Sequence, residues 1–272
     1  MEDLSRLCIH TVTTKPWSLD MAIERFARAG AQGIAVWRDV IANRDLAAVR
    51  KQITDAGLQA VGLVRGGFFA DTDKTKRNAA IDANLQAIDE ASKLGAPLVV
   101  LVCGADPRQP LAESRYQILE GIQAIAPTAH EAGVRLAIEP LHPMYADARS
   151  AIVTLKDAND ACAELNLDNV GVALDVYHVW WDPDLEAEIR RCGQMKKLFG
   201  FHVCDWRTPT RDFFLDRVLM GEGCIDVPGI RRMVDAAGYD GFIEVEIFST
   251  EYWTTDQDSC LERIIQTYLE HV

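Results

Sequence analysis

The chain lacks any apolar stretch that could cross a membrane. Among its 272 residues the most apolar run is Ala96 to Val102, which is far shorter than the ~20 residues that a spanning helix needs. The first six residues, Met-Glu-Asp-Leu-Ser-Arg, hold neither a basic segment nor a long apolar one, so we expect no signal peptide. We therefore predict a cytoplasmic protein that has no membrane partner.

Basic side chains are also scarce. The 28 lysines and arginines are outnumbered by 41 aspartates and glutamates, which gives a net charge of -13 and a pI of about 4.9. Nucleic acid and anionic membranes would repel such a chain over a broad surface, so neither partner is expected. The glycine-rich stretch Gly221-Glu222-Gly223 lacks the Lys-Ser/Thr of a phosphate-binding loop. A phosphorylated substrate is therefore not indicated.

The cysteines do not form a recognisable framework. Their number is odd, and no two are spaced as a Cys-x-x-Cys pair. This argues against both a disulfide scaffold and a structural zinc site. We expect buried, reduced thiols at all seven positions, namely Cys8, Cys103, Cys162, Cys192, Cys204, Cys224 and Cys260.

What the chain does have is a regular alternation of apolar strands and amphipathic helices, with no Pro/Gly/Ser-rich linker. The predicted strands are Leu4 to Thr11, Gly33 to Trp37, Leu58 to Val64, Pro97 to Val102, Val134 to Ile138, Val170 to Leu174, Lys197 to Val203 and Phe242 to Phe248. The first predicted helix is capped by Ser18 and ended by Gly30, and the others are Asp45 to Ala56, Lys76 to Leu94, Leu111 to Ala132, Leu155 to Leu165, Asp184 to Cys192, Pro228 to Ala237 and Asp256 to Leu269.

Eight such units predict a closed α/β barrel. The repeat of roughly 34 residues is the size of one strand–helix step, and this order favours an all-parallel sheet. We therefore predict a single (β/α)8 TIM barrel domain over residues 1–272. A doubly wound open sheet is the alternative.

Four successive predicted strands end in, or carry, a group that can bind a metal. These groups are Glu139, Asp175, His202 and Glu246. In a barrel all four would meet at the carboxyl-terminal mouth, where three carboxylates need a compensating cation. The set suits Mn²⁺, Mg²⁺ or Co²⁺ better than a structural zinc. Any one of these groups alone could instead cap a helix or pair with an arginine. Glu244 shares the face of Glu246, but Glu246 lies nearer the mouth and is our choice.

The sequence around these residues resembles the sugar phosphate isomerase/epimerase family, the xylose isomerase-like TIM barrels that include D-tagatose 3-epimerase, hydroxypyruvate isomerase and inosose dehydratase. The resemblance rests on Leu136-Ala-Ile-Glu-Pro140, Val172-Ala-Leu-Asp-Val-Tyr-His178, Phe201-His-Val-Cys-Asp205 and Ile243-Glu-Val-Glu-Ile-Phe248. It implies a metal held by Glu139, Asp175, His202 and Glu246, with Mn²⁺ as the first choice and Mg²⁺, Co²⁺ or Zn²⁺ as alternatives. It also implies that Glu139 and Glu246 are the catalytic acid/base pair and that His178 binds the substrate near its carbonyl.

The chain departs from the ketose epimerases of this family at two positions. Six residues after Glu139 those enzymes carry a second glutamate, whereas this chain has Tyr145. Six residues after His202 they carry an arginine, whereas this chain has Thr208, with Arg207 and Arg211 nearby. These departures leave the substrate and the reaction outcome open.

We predict a divalent-metal-dependent isomerase or epimerase of a small unphosphorylated sugar or keto-sugar. Proton transfer would run between two glutamates through a metal-stabilised enediolate. A lyase or dehydratase that acts by β-elimination on a keto-sugar, a 3-keto-glycoside or an inosose is the alternative. An endonuclease IV-like DNA-repair protein and a metal-free binding protein are weaker alternatives, and a homo-oligomer is left open.

Other side chains near the predicted mouth are candidates for substrate contact. Trp37 and Trp181 could stack on a sugar ring or simply pack within loops. His142, close behind Glu139, is an equally good candidate for substrate contact and for a structural role. Arg207 or Arg211 could hold a substrate hydroxyl, carboxylate or phosphate, or could pair with Asp205 or Asp212. Among the remaining polar residues, His10 fits a buried structural histidine better than a ligand.

Overall fold

Eight parallel strands close into a barrel in the computed structural model, which describes residues 3–272. The strands are β1 (Leu7–His10), β2 (Gly33–Trp37), β3 (Gln59–Gly67), β4 (Leu98–Val102), β5 (Arg135–Ile138), β6 (Val170–Asp175), β7 (Leu198–Val203) and β10 (Ile243–Val245). Their order around the barrel is β1-β10-β7-β6-β5-β4-β3-β2. Parallel pairing of β1 with β10, which includes Cys8 opposite Glu244, closes the ring and excludes the doubly wound alternative.

A short antiparallel ribbon lies outside the barrel sheet. It is formed by β8 (Asp205–Trp206) and β9 (Arg217–Val218), with Asp205 opposite Val218. The ribbon follows β7 directly. The segment that joins β7 to the next long helix therefore lies over the carboxyl-terminal mouth of the barrel.

Helices connect the strands and surround the barrel. They are α1 (Leu19–Arg28), α2 (Leu46–Asp55), α3 (Lys74–Leu94), α4 (Leu111–Glu131), α5 (Leu155–Leu165), α6 (Val176–Val179), α7 (Leu185–Gln194), α8 (Val227–Ala236), α9 (Thr250–Trp253) and α10 (Gln257–His271). Short polar side chains start several of them: Ser18 accepts a hydrogen bond from Met21 N, and Asp45 accepts one from Ala47 N. None of the helices within residues 3–272 is long and apolar enough to cross a bilayer.

Alternation along the strands divides the core into two layers. In β4, Leu98 and Val100 belong to a small cluster inside the barrel with Ala137 and Ala173. Val99 and Leu101 of the same strand belong to the larger core that packs against the helices. Successive side chains of a strand point to opposite faces, so a strand that is buried on both faces is apolar throughout.

The structure confirms the predicted TIM barrel, although some strands are shorter than the sequence indicated. The eighth barrel strand was predicted over Phe242 to Phe248, but β10 ends at Val245. The reason is that Ile247 N donates to Thr13 Oγ1 instead of to a neighbouring strand. The first strand likewise begins at Leu7, whose N–H closes a turn with the carbonyl of Leu4.

The prediction that all seven cysteines are buried is wrong at one position. Cys224 is exposed, whereas the other six are buried. Its backbone N–H donates to Trp206 O, and the neighbouring N–H groups of Gly223 and Ile225 donate to the carboxylate of Asp205. These bonds hold the backbone of the loop against the ribbon and leave the Cys224 side chain facing solvent.

Candidate metal centre

Four side chains from four adjacent strands meet at the mouth of the barrel. Glu139 follows β5, Asp175 ends β6, His202 lies in β7 and Glu246 follows β10. One possible ligand atom from each lies within 4.8 Å of all the others, and all four residues are buried. The strands are neighbours in the order β10-β7-β6-β5, so residues far apart in sequence become adjacent.

Strand register accounts for this convergence. His202 is the register partner of Asp175 on one side and of Glu244 on the other. Glu139 and Glu246 extend the edge, because their N–H groups donate to the carbonyls of Leu101 and Val203 on neighbouring strands. Parallel strands end at the same edge, so their last side chains share one rim.

The four side chains fit a divalent cation. His202 Nδ1 lies 3.1 Å from Glu139 Oε1, yet both atoms are buried and neither has a hydrogen-bond partner among residues 3–272. Buried polar atoms are rarely left unpartnered, and a cation bound by Glu139 and His202 would give both atoms a partner. Three carboxylates and one imidazole are ligands that Mn²⁺, Mg²⁺, Co²⁺ and catalytic Zn²⁺ all accept.

The charges at this rim influence one another strongly. Burial raises the pKa of Asp175 to about 6, although Arg217 opposes that shift. Burial lowers the pKa of His202, but Glu244, Glu139 and Glu246 outweigh it and raise that pKa to about 10. Burial also raises the pKa of Glu246, but His10 and Arg217 more than offset this and hold it below its usual range. The rim therefore holds excess negative charge, which favours a cation.

Arg217 is the site residue that the sequence did not reveal. It is 4% exposed, and its Nη1 donates to Asp175 Oδ2 (2.8 Å), Glu246 Oε2 (3.1 Å) and Glu246 O (3.2 Å). Its guanidinium also packs over the rings of Tyr177 and Phe248, at 4.4 and 5.1 Å from their centroids. Arg217 belongs to β9 of the ribbon and not to a barrel strand, so no strand-end pattern points to it.

His10 and Glu244 support the metal centre from below. His10 Nδ1 lies 3.0 Å from Glu246 Oε1, and its Nε2 lies 3.0 Å from Glu244 Oε2. Burial lowers the pKa of His10, but these two carboxylates raise it above its ordinary value. His10 is thus a buried structural histidine, as the sequence favoured, whose partners fix the orientation of Glu246.

A narrow cavity opens above the rim. Its walls include both glutamates of the rim together with aromatic and basic side chains, among them Trp37, Arg65, Tyr145, Arg149, His178, Phe214, Arg217 and Phe248. Tyr145, at the position where the ketose epimerases carry a glutamate, donates its hydroxyl to Phe213 O at 2.6 Å. This bond ties the loop before β9 to the wall of the cavity.

Two of the predicted substrate contacts lie in the cavity wall. His178 Nε2 lies 3.3 Å from Arg217 Nη2, and its Nδ1 accepts a hydrogen bond from His142 N. Burial and the charge of Arg217 lower the pKa of His178 well below its ordinary value, so the ring is neutral. Trp37 packs edge-on against Phe248, with 5.2 Å between ring centroids.

The other four predicted contacts lie outside the cavity wall. The His142 ring accepts a hydrogen bond from Met144 N and packs against Trp181, whose Nε1 donates to His178 O. Both rings therefore buttress the loop that carries His178. Arg207 and Arg211 pair with two acidic residues, Asp216 and Glu251. The sequence left open a pairing with Asp205 or Asp212, and those partners are wrong, because both carboxylates accept backbone N–H groups of their own loops instead.

Comparison with known proteins identifies relatives of the whole barrel. A family model described as "xylose isomerase-like TIM barrel" matches residues 23–264. Inosose isomerase of Bacillus licheniformis is 26% identical over 213 residues, which cover 75% of this chain and 73% of that enzyme. 3-Dehydroshikimate dehydratase of Pseudomonas aeruginosa is 26% identical over 243 residues; the match covers 85% of this chain but 36% of that longer protein.

Solved structures show the same architecture. A protein of Sinorhizobium meliloti 1021, SMc04130, is 43% identical with a TM-score of 0.95, and the match covers 99% of both chains. The IOLI protein with a bound zinc atom is 21% identical with a TM-score of 0.86 and 98% coverage of both chains. At that identity the second likeness speaks for the fold alone.

Proposed function

This chain belongs to the xylose isomerase-like TIM barrel family, and from that membership we propose that it is a metal-dependent isomerase or epimerase of a small sugar or keto-sugar. One observation carries the proposal: ligand atoms of Glu139, Asp175, His202 and Glu246 converge within 4.8 Å of one another, and the two glutamates line the cavity above them. The similarity to inosose isomerase, an enzyme of this reaction class, supports it.

The proposed metal ligands are the four residues of the rim. A bound divalent ion would act as a Lewis acid that makes a C–H next to a carbonyl more acidic. The ligand set favours Mn²⁺ as the first choice, and the zinc atom in the IOLI structure supports Zn²⁺ as an alternative. Arg217 would compensate charge and hold Asp175 in place through its 2.8 Å hydrogen bond.

The proposed catalytic pair is Glu139 and Glu246. Both carboxylates line the cavity from different strands, so they can approach a substrate carbon skeleton from two directions. One would accept the proton from carbon, and the other would return it to the same or the neighbouring carbon. His10 keeps Glu246 ionised and oriented, while His178 and Trp37 would position the substrate from the wall.

A second candidate function is elimination of water, because the chain is also similar to 3-dehydroshikimate dehydratase. The same first proton abstraction would then be followed by protonation of a leaving hydroxyl at the β-carbon. The cavity is compatible with both outcomes because they diverge only after the proton has left carbon.

Proton exchange with solvent would test the proposal. The protein would be loaded with Mn²⁺ or Zn²⁺ and incubated in D₂O with a panel of ketoses and inososes, and the products followed by NMR and ultraviolet absorbance. Deuterium in an isomeric product supports the isomerase, and a new enone absorbance supports the dehydratase. Glu246→Gln should abolish either signal, whereas Glu251→Gln, at a surface ion pair, should not. Absence of exchange with every compound, despite bound metal, would overturn the proposal.

A further inference from the structure

Two arginines in the cavity wall have no acidic partner. Arg65 lies in β3, and Arg149 lies between β5 and α5. In the part of the chain that the structure describes, neither guanidinium forms an ion pair or a hydrogen bond, and Arg65 Nη1 is buried without a partner. Their contacts are with aromatic rings: Arg65 lies 4.6 Å from the Phe68 centroid, and Arg149 lies 4.7 Å from that of Phe214.

The other arginines near the mouth, unlike these two, all have acidic partners. Arg217 donates to two rim carboxylates, and Arg207 and Arg211 are both paired with Asp216. A cation at the rim, together with Arg217, would already compensate the rim carboxylates. The positive charge of Arg65 and Arg149, both partly buried in the cavity wall, would then remain uncompensated.

The two guanidiniums also disfavour each other. Burial lowers the pKa of Arg65, and the charge of Arg149 lowers it further, while Glu139 and Glu246 act in the opposite direction. A negatively charged group bound between them would relieve this repulsion and give the buried Nη1 of Arg65 an acceptor.

We propose that the substrate of this enzyme carries a carboxylate, which Arg65 and Arg149 bind on the β3–β5 side of the cavity while its reacting carbons lie over the rim. The inference rests on the proposed function and narrows its substrate from any small sugar or keto-sugar to an acidic sugar or keto acid. It extends the prediction from the sequence, which assigned no charge to the substrate.

The position of the two arginines favours a carboxylate over a phosphate. TIM barrels commonly bind phosphate with the loops after their seventh and eighth strands and with backbone N–H groups at a helix start. Arg65 extends instead from β3, four places from β7 around the barrel. Planar guanidiniums without a surrounding set of N–H groups match the two oxygens of a carboxylate.

Matched pairs of ligands would test the inference by direct binding. Calorimetry on the Mn²⁺-loaded protein would compare D-fructuronate with D-fructose, and D-tagaturonate with D-tagatose, and D-fructose 6-phosphate would test the phosphate. We expect the acid of at least one pair to bind at least tenfold more tightly than its neutral partner. A preference below threefold in both pairs, including the case in which neither member binds, would overturn the inference. Tighter binding of the phosphate than of either acid would also overturn it.

Variants would show whether Arg65 and Arg149 cause the preference for the acidic ligand. In Arg65→Gln/Arg149→Gln the preference for the acid should fall below threefold, while metal uptake stays at the wild-type level because neither residue is a ligand. The charge-matched control Arg28→Gln/Arg232→Gln, at exposed positions on α1 and α8, should keep the tenfold preference. An unchanged preference in the first variant would reject the assignment.

The binding data are independent of the proton-exchange data. Arginine-dependent binding of acids without any C–H exchange would retain the acidic ligand and reject the proposed reaction. Exchange on neutral sugars alone, without a preference for acids, would support the proposed reaction and reject the acidic substrate.

Discussion

Arg217 Nη1 donates to Asp175 Oδ2 at 2.8 Å, and both side chains are almost completely buried. The bond joins β9 of the ribbon to the end of β6. A second bond from the same nitrogen reaches Glu246 Oε2. One arginine from outside the barrel sheet thus fixes two of the candidate ligands and secures the ribbon over the mouth.

Replacing Arg217 should destabilise the metal-free protein strongly. Arg217→Met leaves Asp175 buried without the guanidinium that pairs with it, while Glu246 keeps only His10. Loss of one partner of a buried ion pair costs about 3–5 kcal/mol. Arg211→Met is the matched control, because Arg211 is 56% exposed and Arg207 still pairs with Asp216. Chemical denaturation of the two variants would measure the difference. Equal losses of stability would contradict this account.

Removing one rim carboxylate should abolish metal uptake. We expect Asp175→Asn to lose the divalent ion that the wild-type protein retains after loading and dialysis, since a neutral amide is a poorer ligand than a carboxylate and Asp175 is one of the four converging side chains. Elemental analysis would measure the metal per chain. Asp160→Asn, at a surface ion pair, should retain the wild-type content; equal metal in both variants would count against the site.

Metal affinity should rise with pH. The pKa of His202 is raised to about 10, so the metal-free protein holds a proton there at neutral pH, and a metal must displace it. Affinity should therefore fall by up to roughly tenfold for each pH unit below that pKa. It should fall more steeply below about 6, where Asp175 also takes up a proton.

Calorimetry of metal binding in two buffers of different ionisation enthalpy would detect this proton. A difference in apparent enthalpy between the buffers is the expected result at pH 7. An affinity that does not change between pH 6 and pH 8 would show that His202 is not a ligand.

Only one thiol should react readily in the folded protein. Cys224 is exposed, whereas burial raises the pKa of Cys162 to about 12 and leaves the other buried thiols protonated and inaccessible. Burial and the charge of Asp205 also raise the pKa of Cys224, so its alkylation should accelerate as pH increases. Mass spectrometry after iodoacetamide treatment should find one modified cysteine, and seven after denaturation. Rapid modification of Cys162 in the native state would be inconsistent with the packed core.

The strand-end pattern was sufficient to predict the four candidate metal ligands that the structure brings together. Glu139, Asp175, His202 and Glu246 each interrupt or follow an apolar run, and a parallel barrel leaves little freedom in where such residues lie. The aromatic residues beyond them were harder to place. Trp37 ends β2 and lines the cavity, whereas Trp181 lies in the loop after α6 and packs on His142. The strand fixes the position of the first ring, and the conformation of the loop decides that of the second.

The sequence by itself predicted eight strand–helix units and the residues at the strand ends, because alternation of short apolar strands with helices has few compact solutions. Closure of the barrel was decided by the tertiary structure, in which β1 pairs with β10. The tertiary structure alone decided the partners of the arginines. Arg207 and Arg211 were candidates for substrate binding, but both pair with Glu251. Arg217, which the sequence did not indicate, lies in β9 of the ribbon and donates to Asp175. Whether a charged side chain has a partner depends on distances between segments that are remote in sequence, and only the folded structure sets those distances.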